Sequence, residues 1–468
     1  MAEGQDNSSA LLEKLGYKQD LDRTLSFFAN FGIAFSYISP VVGVYSLFGY
    51  ALKLGGPAFI WSIPIVAFGQ FMVALVFAEV ASAYPLAGAL YQWGKLLVGP
   101  RYGWMVGWIY GWALLTTIAA VDYAGAPYVA QIFGLEPTPS VKLAIAVTLL
   151  VVHSVFNVVG VRASAFITNL GVAGEVSATV VIAGVLIAAG LSQPASVLLT
   201  TAGAGEGGSY LPGFMAAMLG AVWVFYGFES AGDVAEEVVD ASRKVPRAML
   251  ASLASAVVVT ALLVVTLVLA TPSFDAVMAD PNKAIPMIFE ARLGKVMAAV
   301  TLVLIVFAYF SCATAIQAAC ARLVFAYARD KKIPAWKTLS MVAPASKAPI
   351  AALVFTGIVA LVTLLFTGLV ADAEAVIVSY AAVGIYVSFQ LVVLGYIMAR
   401  RRGARCQGHF QLGRWAMPVA IVAQVYGVAM IVNLIWIRDG GWFPLGSALA
   451  VSVSGLVVLF LRERASNV

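Results

Sequence analysis

One stretch near the middle of the chain carries groups that could bind a cation or a proton inside a membrane. It runs from Trp223 to Arg247 and begins as an apolar segment rich in aromatic residues. Gly227 interrupts that segment just before the carboxylate of Glu229. Loosened backbone and buried carboxylates are tolerated in a membrane only where protein or water satisfies them. The stretch therefore predicts a helix that lines a polar cavity.

A second interruption lies in the first apolar segment, where Ser39 and Pro40 are followed by Gly43. Proline removes a backbone donor and clashes with the preceding turn, so it breaks or kinks a helix. A half-helix N-terminus offers free N–H groups to a carboxylate, and a half-helix C-terminus offers carbonyls to an ammonium group. Either break alone would also fit a kinked or closely packed membrane helix. Two breaks, with Glu229 beside one of them, favour a transport site.

Glu175 is a third candidate, in the fifth apolar segment. Counted from Ala165 at a helical rise of about 1.5 Å per residue, it lies about 15 Å into the membrane. Desolvation disfavours a charged carboxylate at that depth, so we expect Glu175 to bind a proton or to face a cation. Sodium is not excluded as that cation. The alternative is a protonated glutamate that only packs against a neighbouring helix.

The composition defines the class of protein. Hydrophobic residues make up 62% of the chain, charged residues 11%, and the mean hydropathy is +0.94. A soluble domain is about a quarter charged. The apolar runs are about 20 residues long, which is the length that a membrane helix requires. The sequence therefore predicts an all-α integral membrane protein with twelve transmembrane helices, called spans one to twelve below. They cover residues 25–51, 57–83, 102–132, 141–159, 164–190, 211–238, 247–270, 294–326, 349–369, 374–399, 415–436 and 442–461.

The basic residues predict the orientation of these spans. Most of the 28 lysines and arginines precede span one or follow the even-numbered spans. Cytoplasmic loops carry such an excess, so we expect both termini in the cytoplasm and the chain in the plasma (inner) membrane. This distribution accounts for the net charge of +5 and argues against nucleic-acid binding.

Cysteines and histidines give no pattern for a metal, a cofactor or a disulfide framework. The chain has three cysteines and two histidines, and none is spaced as a metal site requires. We also find no nucleophile–base pair and no phosphate-binding loop. The sequence therefore predicts no catalytic residues, no cofactor and no enzyme activity.

Three motifs resemble those of a known family. They are Glu79–Trp93 (EVASAYPLAGALYQW), the segment from Phe225 (FYGFES) to Arg247, and Ala328–Pro334 (ARDKKIP). The chain resembles the amino acid–polyamine–organocation superfamily, and within it the amino acid/choline branch. This resemblance implies secondary active transport. It also implies the LeuT-like fold, a five-plus-five inverted repeat with discontinuous helices one and six and two further helices. The expected divisions are a cytoplasmic segment 1–24, repeats 25–190 and 211–399, two helices within 415–461, and a cytoplasmic tail 462–468.

The resemblance also implies roles for individual residues. In the family, free N–H groups at the helix-one break hold a substrate carboxylate; here that break has fewer glycines and contains Pro40. Glu175 stands where proton-coupled members place a coupling residue, and with Ser311 it is our candidate for proton coupling or cation binding. Glu229 and Trp223 are the candidates for gating. The candidate substrate-binding residues are Ile38, Ser39, Pro40, Val41, Val42, Gly43, Trp223, Tyr226, Gly227, Phe310 and Gln317.

Several other charged residues receive structural interpretations. We expect Asp122 in an outer vestibule or at a helix end in water, and Glu79 in an ion pair with a basic loop. Glu236 and Glu237 are interpreted as solvated charges near the cytoplasm. Residues 271–293 are interpreted as a surface helix or an ordinary connecting loop.

We therefore expect a proton-coupled importer of a small amine-bearing solute that works by alternating access. An amino acid or ω-amino acid such as γ-aminobutyrate is the first candidate. The alternative is a cationic amine without a carboxylate, such as choline, ethanolamine or a polyamine. Pro40 and the carboxylates of Glu175 and Glu229 favour this alternative. Obligate exchange, in which an outgoing solute replaces the proton, is also open.

Overall fold

The structure is a computed structural model that describes residues 12–159, 161–205, 208–344, 346–367, 373–436 and 442–466. Within these ranges the regular structure is helical, apart from one isolated bridge between Leu25 and Val238. The first residues of the predicted cytoplasmic segment and the last two of the predicted tail lie outside the described residues.

Long apolar helices confirm the prediction of an all-α membrane protein. In the described part of the chain, ten helices are long and apolar enough to cross a membrane. Two shorter apolar helices, Tyr210–Val224 and Leu449–Phe460, fall within the predicted spans six and twelve. The described residues thus contain ten helices that could cross a membrane, and the count of twelve stays a prediction. The ten helices are Phe27–Gly55, Pro57–Ala83, Pro100–Ile132, Pro139–Val159, Phe166–Ala188, Ala241–Ala270, Ala299–Arg329, Ile350–Thr367, Ile377–Arg401 and Gly413–Ile435.

Span one is divided at Ser39 into two halves, Phe27–Ile38 and Pro40–Gly55. They are called the inner and the outer half, where "inner" denotes the side that carries the basic loops. Ser39 has φ 36° and ψ 87°, a left-handed conformation that is uncommon for residues other than glycine. Its N–H closes the inner half on the Phe35 carbonyl at 2.8 Å. Proline favours the first position of a helix, where its missing N–H has no intrahelical partner. Pro40 therefore starts the outer half rather than kinking a continuous helix.

Span six is divided in the corresponding way. Its outer part consists of Tyr210–Ala217 and Leu219–Val224, and its inner part begins with the single helical turn Ser230–Asp233. The intervening residues Phe225–Glu229 are not helical. Helix formation therefore stops where the glycine and the carboxylate stand in the sequence.

The two breaks lie against each other. Gly227 has φ +114°, and a Cβ atom at that position would be 2.8 Å from Cδ2 of Tyr37 and 2.9 Å from the backbone nitrogen of Ile38. In the outer halves, a Cβ on Gly43 would lie 2.4 Å from Val224. Small residues let membrane helices approach this closely. Glycines at these two positions therefore bring the unwound segments together, and the division into inverted repeats 25–190 and 211–399 stays a prediction.

The segment between spans seven and eight is partly helical. It contains the short helix Phe274–Ala279, followed by a helix that begins at Ala284 and runs into span eight. The backbone bends at Gly294, where φ is 69°. Residues 271–293 were interpreted as a surface helix or a connecting loop, and the segment contains both a short helix and connecting residues.

Candidate substrate site

A closed cavity lies between the two breaks. It is small, with room for about one water molecule, and each residue that lines it is at most 5% exposed. The space between the breaks is therefore lined by buried residues, and it must widen to admit a solute. The lining residues are Tyr37, Ile38, Val42, Thr117, Val121, Trp223, Tyr226, Cys312 and Ile316.

Three aromatic side chains form one wall of this cavity. The Tyr226 ring lies 5.5 Å from the Trp223 ring and 6.1 Å from the Tyr37 ring, edge to face in both cases. The buried Tyr37 hydroxyl makes no hydrogen bond within the described chain. Aromatic faces attract ammonium groups, and an unpaired hydroxyl can hydrogen-bond a ligand. The wall thus suits a small solute that carries an amine.

Glu175 occupies the N-terminus of the outer half of span one. The Val41 N–H donates to Oε1 of Glu175 at 2.7 Å, and the Ser39 hydroxyl lies 3.1 Å from each carboxyl oxygen. The Val42 N–H donates to the Ser39 hydroxyl oxygen at 3.3 Å, and Pro40 has no N–H. The first-turn amides are therefore already in use. A solute carboxylate could reach the Val41 N–H only by displacing Glu175.

The break in span six leaves carbonyl groups for an ammonium group. The Gly227 carbonyl accepts from the Ser230 N–H at 3.1 Å and from its hydroxyl at 2.6 Å, so this oxygen is occupied. The carbonyls of Trp223 and Tyr226 accept no hydrogen bond from the described residues. The Tyr226 carbonyl is therefore available to an ammonium group, whereas the Gly227 carbonyl is not.

Glu229 stabilises the unwound part of span six by hydrogen bonds. Its Oε2 accepts from the Gly227 N–H at 2.8 Å, and its Oε1 lies 3.2 Å from the Tyr110 hydroxyl. The same hydroxyl donates to Asp233 at 2.8 Å. Glu229 does not line the cavity. It holds the shape of the break, and its role in gating stays a prediction.

Three residues expected at the site on span eight are placed elsewhere. The Ser311 and Ser36 hydroxyls are 3.1 Å apart, which ties span eight to the inner half of span one but not to Glu175. Phe310 packs edge to face against His153, with ring centroids 6.3 Å apart. Gln317 hydrogen-bonds to His153 and to other polar groups of span four. Phe310 and Gln317 thus face span four and not the cavity.

Other lining residues were missed by the sequence analysis. Thr117 and Val121 are four residues apart on span three, and Cys312 and Ile316 are four apart on span eight. Residues at this spacing share one face of a helix. The spacing was visible in the sequence, but every apolar face of these spans has it. Only the packing shows which face meets the breaks.

Buried ion pairs close the inner side of the site. Arg322 forms two hydrogen bonds with Glu237, at 2.8 and 3.2 Å, and Arg329 forms two with Glu236, both at 2.7 Å. Both carboxylates are completely buried. The interpretation of Glu236 and Glu237 as solvated charges is wrong, because span eight folds over them.

Two more charged residues have partners in the structure. Glu79 is ion-paired with Arg400, as expected, and also accepts from the Tyr396 hydroxyl at 2.7 Å. Asp122 is only 2% exposed and lies 3.1 Å from His153. Its expected place in an outer vestibule or in water is therefore wrong.

Breaking the Arg322–Glu237 pair is expected to open the inner side. Removing one partner of a buried ion pair costs about 3–5 kcal/mol. A factor of ten corresponds to about 1.4 kcal/mol, so Arg322→Gln should raise labelling of Cys312 by a thiol reagent applied from the inner side at least about tenfold. Cys320→Ala and Cys406→Ser would leave Cys312 as the reporter. Arg243→Gln, at an exposed inner position, is the matched control; equal labelling in both variants contradicts the assignment.

Comparisons with known proteins give the class and then the family. The chain matches the model of the amino acid permease family over residues 25–460, and it belongs to that family. The match makes the chain a membrane transporter and not an enzyme, and it confirms the resemblance seen in the sequence motifs.

Several named relatives cover most of the chain. It is 24% identical to amino-acid permease BAT1 of Arabidopsis thaliana, with 91% of this chain and 88% of the relative covered. It is 27% identical to the thiamine transporter thi9 of Schizosaccharomyces pombe, with 92% and 80% covered. Its identity to the GABA-specific permease of Saccharomyces cerevisiae is 28%, with 72% and 62% covered.

Proposed function

We propose that the chain imports a small amine-bearing solute, an amino acid or ω-amino acid, and couples this import to protons. The observation that carries the proposal is the position of Glu175 on the donors that a solute carboxylate would need. A relative named as a GABA-specific permease supports an ω-amino acid.

Competition for these donors provides the coupling. Ionised Glu175 accepts charge-assisted hydrogen bonds from the Val41 N–H and the Ser39 hydroxyl, and such bonds are stronger than neutral ones. Protonation weakens these bonds and frees the half-helix N-terminus for the solute carboxylate. A proton on Glu175 and a solute in the cavity therefore favour each other, and this mutual effect is reciprocal.

The ammonium end of the solute would lie on the opposite side of the cavity. The rings of Trp223 and Tyr226 and the free Tyr226 carbonyl supply cation–π contact and a hydrogen-bond acceptor. Movement of the span-six break, braced by Glu229, would then open and close the site by alternating access.

The orientation in the plasma membrane is also part of the proposal. The Tyr17 hydroxyl donates to Gln92 at 2.9 Å and lies 3.1 Å from Asp330, so the N-terminal segment contacts the connections after spans two and eight, both of which carry basic residues. Such loops are cytoplasmic in most membrane proteins. We therefore place the N-terminus in the cytoplasm, and the C-terminus follows from an even number of crossings.

A cationic amine without a carboxylate is the second candidate. It is favoured by the same observation, because the protein's own carboxylate already fills the place of a solute carboxylate. A relative named as a thiamine transporter is consistent with it. Such an amine would need Glu175 ionised, so solute and proton would oppose each other and the carrier would exchange them.

Uptake into proteoliposomes separates the two candidates. The vesicles contain the full chain, and labelled γ-aminobutyrate or choline is added under an imposed pH gradient. We expect acid outside to stimulate uptake of γ-aminobutyrate several-fold. Stimulation of choline uptake by acid inside would instead support the second candidate. Uptake that needs a preloaded solute and ignores both gradients would show obligate solute exchange and contradict proton coupling.

A further inference from the structure

A buried polar cluster lies outside the cavity, where spans three, four and eight meet. It joins Asp122 to His153 at 3.1 Å, and His153 to Gln317 at 3.1 Å. Asn157 and Ser154 complete it by hydrogen bonds to Gln317, at 2.9 and 2.7 Å. Asp122 and His153 are 2% and 0% exposed. Ionisable groups buried in this way inside membrane proteins are rare and are functional by default.

Two amide groups determine which histidine nitrogen carries hydrogen. The Asn157 amide donates to the Thr314 carbonyl, and the Gln317 amide donates to the Leu353 carbonyl, at 3.1 and 3.4 Å. Carbonyl oxygens only accept, so each amide nitrogen must point at its carbonyl. The Gln317 oxygen then faces Nδ1 of His153. Because that oxygen also only accepts, Nδ1 must carry a hydrogen.

The bond between His153 and Asp122 therefore contains one further proton. Nε2 of His153 and Oδ2 of Asp122 are 3.1 Å apart. A proton between them gives either a histidinium beside a carboxylate or a neutral histidine beside a carboxylic acid. Both forms have the same proton count and no net charge. Without that proton, a nitrogen lone pair would face a carboxylate in an apolar interior, which is unfavourable.

The pair adjoins the cavity but is separate from Glu175. Val121 and Ile316 line the cavity, and each is the immediate chain neighbour of a cluster member. The Cys312 thiol, which also lines the cavity, donates to the Tyr37 carbonyl at 3.3 Å. A change of packing around the solute can thus reach the pair through spans three and eight.

Few other ionisable groups surround the pair. Tyr123 follows Asp122 on span three, and its ring lies 4.8 Å from Nζ of Lys142 on span four. On span eight the Cys312 thiol interacts electrostatically with Asp122 and with Glu175 of span five. Span nine, Ile350–Thr367, contains no ionisable residue. Span ten, Ile377–Arg401, contains tyrosines and the two arginines at its end. Of the groups named here, His153 alone forms an ion pair with Asp122.

We propose that Asp122 and His153 form a second proton-binding site, which holds one exchangeable proton between Nε2 and Oδ2. The proton leaves when the packing of spans three, four and eight changes during the transport cycle. This role in the cycle rests on the proposed function, whereas the existence of the proton site does not.

Magnetic resonance of isotope-labelled histidine in the purified full chain tests the site. The chain has two histidines, and His409 is exposed, so His409→Gln leaves His153 as the only signal. We expect Nδ1 to carry a hydrogen with and without the shared proton, and the Nε2 signal to change in one step when that proton leaves. Asp122→Asn should remove that step, because its amide can donate to Nε2 without titrating. A bare Nδ1 overturns the proposal even if the Asp122→Asn variant fails to fold, and so does an unchanged step in that variant.

Transport stoichiometry tests the role in the cycle. In proteoliposomes, the membrane potential at which net solute flux reverses gives the number of protons moved per solute. We expect Asp122→Asn to move one proton fewer than the parent, with Asp275→Asn on the outer segment as the unchanged control. An equal ratio in Asp122→Asn and the parent contradicts the role in transport, whereas a complete lack of proton-driven uptake by the parent contradicts the proposed function instead.

Discussion

Glu175→Gln is expected to weaken the response of solute uptake to a pH gradient by the contribution of one proton. The glutamine oxygen can still accept from the Val41 N–H, which Glu175 accepts at 2.7 Å, so the half-helix keeps its cap and the chain keeps its fold. Glutamine cannot gain or lose a proton, and it holds the donors with neutral hydrogen bonds that a solute carboxylate displaces more easily. Labelled solute should therefore still exchange across the vesicle membrane at equal pH, while acid outside stimulates its net uptake less than in the parent, by the contribution of one proton.

The control for this variant is Glu136→Gln. Glu136 lies in the exposed connection between spans three and four, so its loss removes the same charge far from the breaks. We expect its gradient-driven uptake to equal that of the parent within error. Gradient-driven uptake in Glu175→Gln that equals that of the parent would show that Glu175 binds no coupling proton.

Gly227→Ala is expected to reduce the uptake rate at least about tenfold, a change that corresponds to about 1.4 kcal/mol in the barrier. An L side chain in a left-handed conformation costs about 1–2 kcal/mol, and the φ of Gly227 is +114°. The new methyl group would also lie within 2.9 Å of Tyr37 and Ile38, and overpacking of this kind costs about 1–3 kcal/mol more. The strain falls on the junction of the two breaks, so the cavity wall must shift. Initial uptake rates per unit of membrane-inserted protein, with a thermal unfolding curve, measure both effects.

Gly184→Ala supplies the comparison. Gly184 is an exposed position on span five, and an added Cβ would meet nothing within 4 Å. Alanine is also a better helix former than glycine, by about 0.8–1.0 kcal/mol in soluble helices. Uptake and melting temperature should match or exceed those of the parent. Equal losses in both glycine variants would mean that the break has no special need for glycine.

The interrupted helices could be predicted because their causes are local. Pro40 cannot continue the inner half of span one, and Gly227 allows a backbone conformation that other residues resist. Glu175 was predictable as a functional group because an ionised carboxylate is costly in an apolar helix. That it caps Pro40–Gly55 was not evident, because the cap joins residues 134 positions apart in the chain.

The sequence could not show which residues on different helices contact each other. Glu236 and Glu237 stand in a run of acidic residues that is typical of a solvated segment, and only the position of span eight buries them beside Arg329 and Arg322. Gln317 has a register compatible with the cavity, yet it faces His153. In both cases a contact between two helices determines where the side chain lies. The sequence of one helix does not show which neighbouring helix its polar face will contact.

Proton uptake on solute binding tests the central claim most directly, because it needs no membrane and no transport. The purified chain is mixed with γ-aminobutyrate in weakly buffered solution, and the protons taken up per solute bound are measured beside the same titration of Glu175→Gln. We expect the parent to take up one proton more per bound solute than the variant. Equal proton uptake by the two proteins, with solute bound to both, would contradict the claim that Glu175 links the proton to the solute.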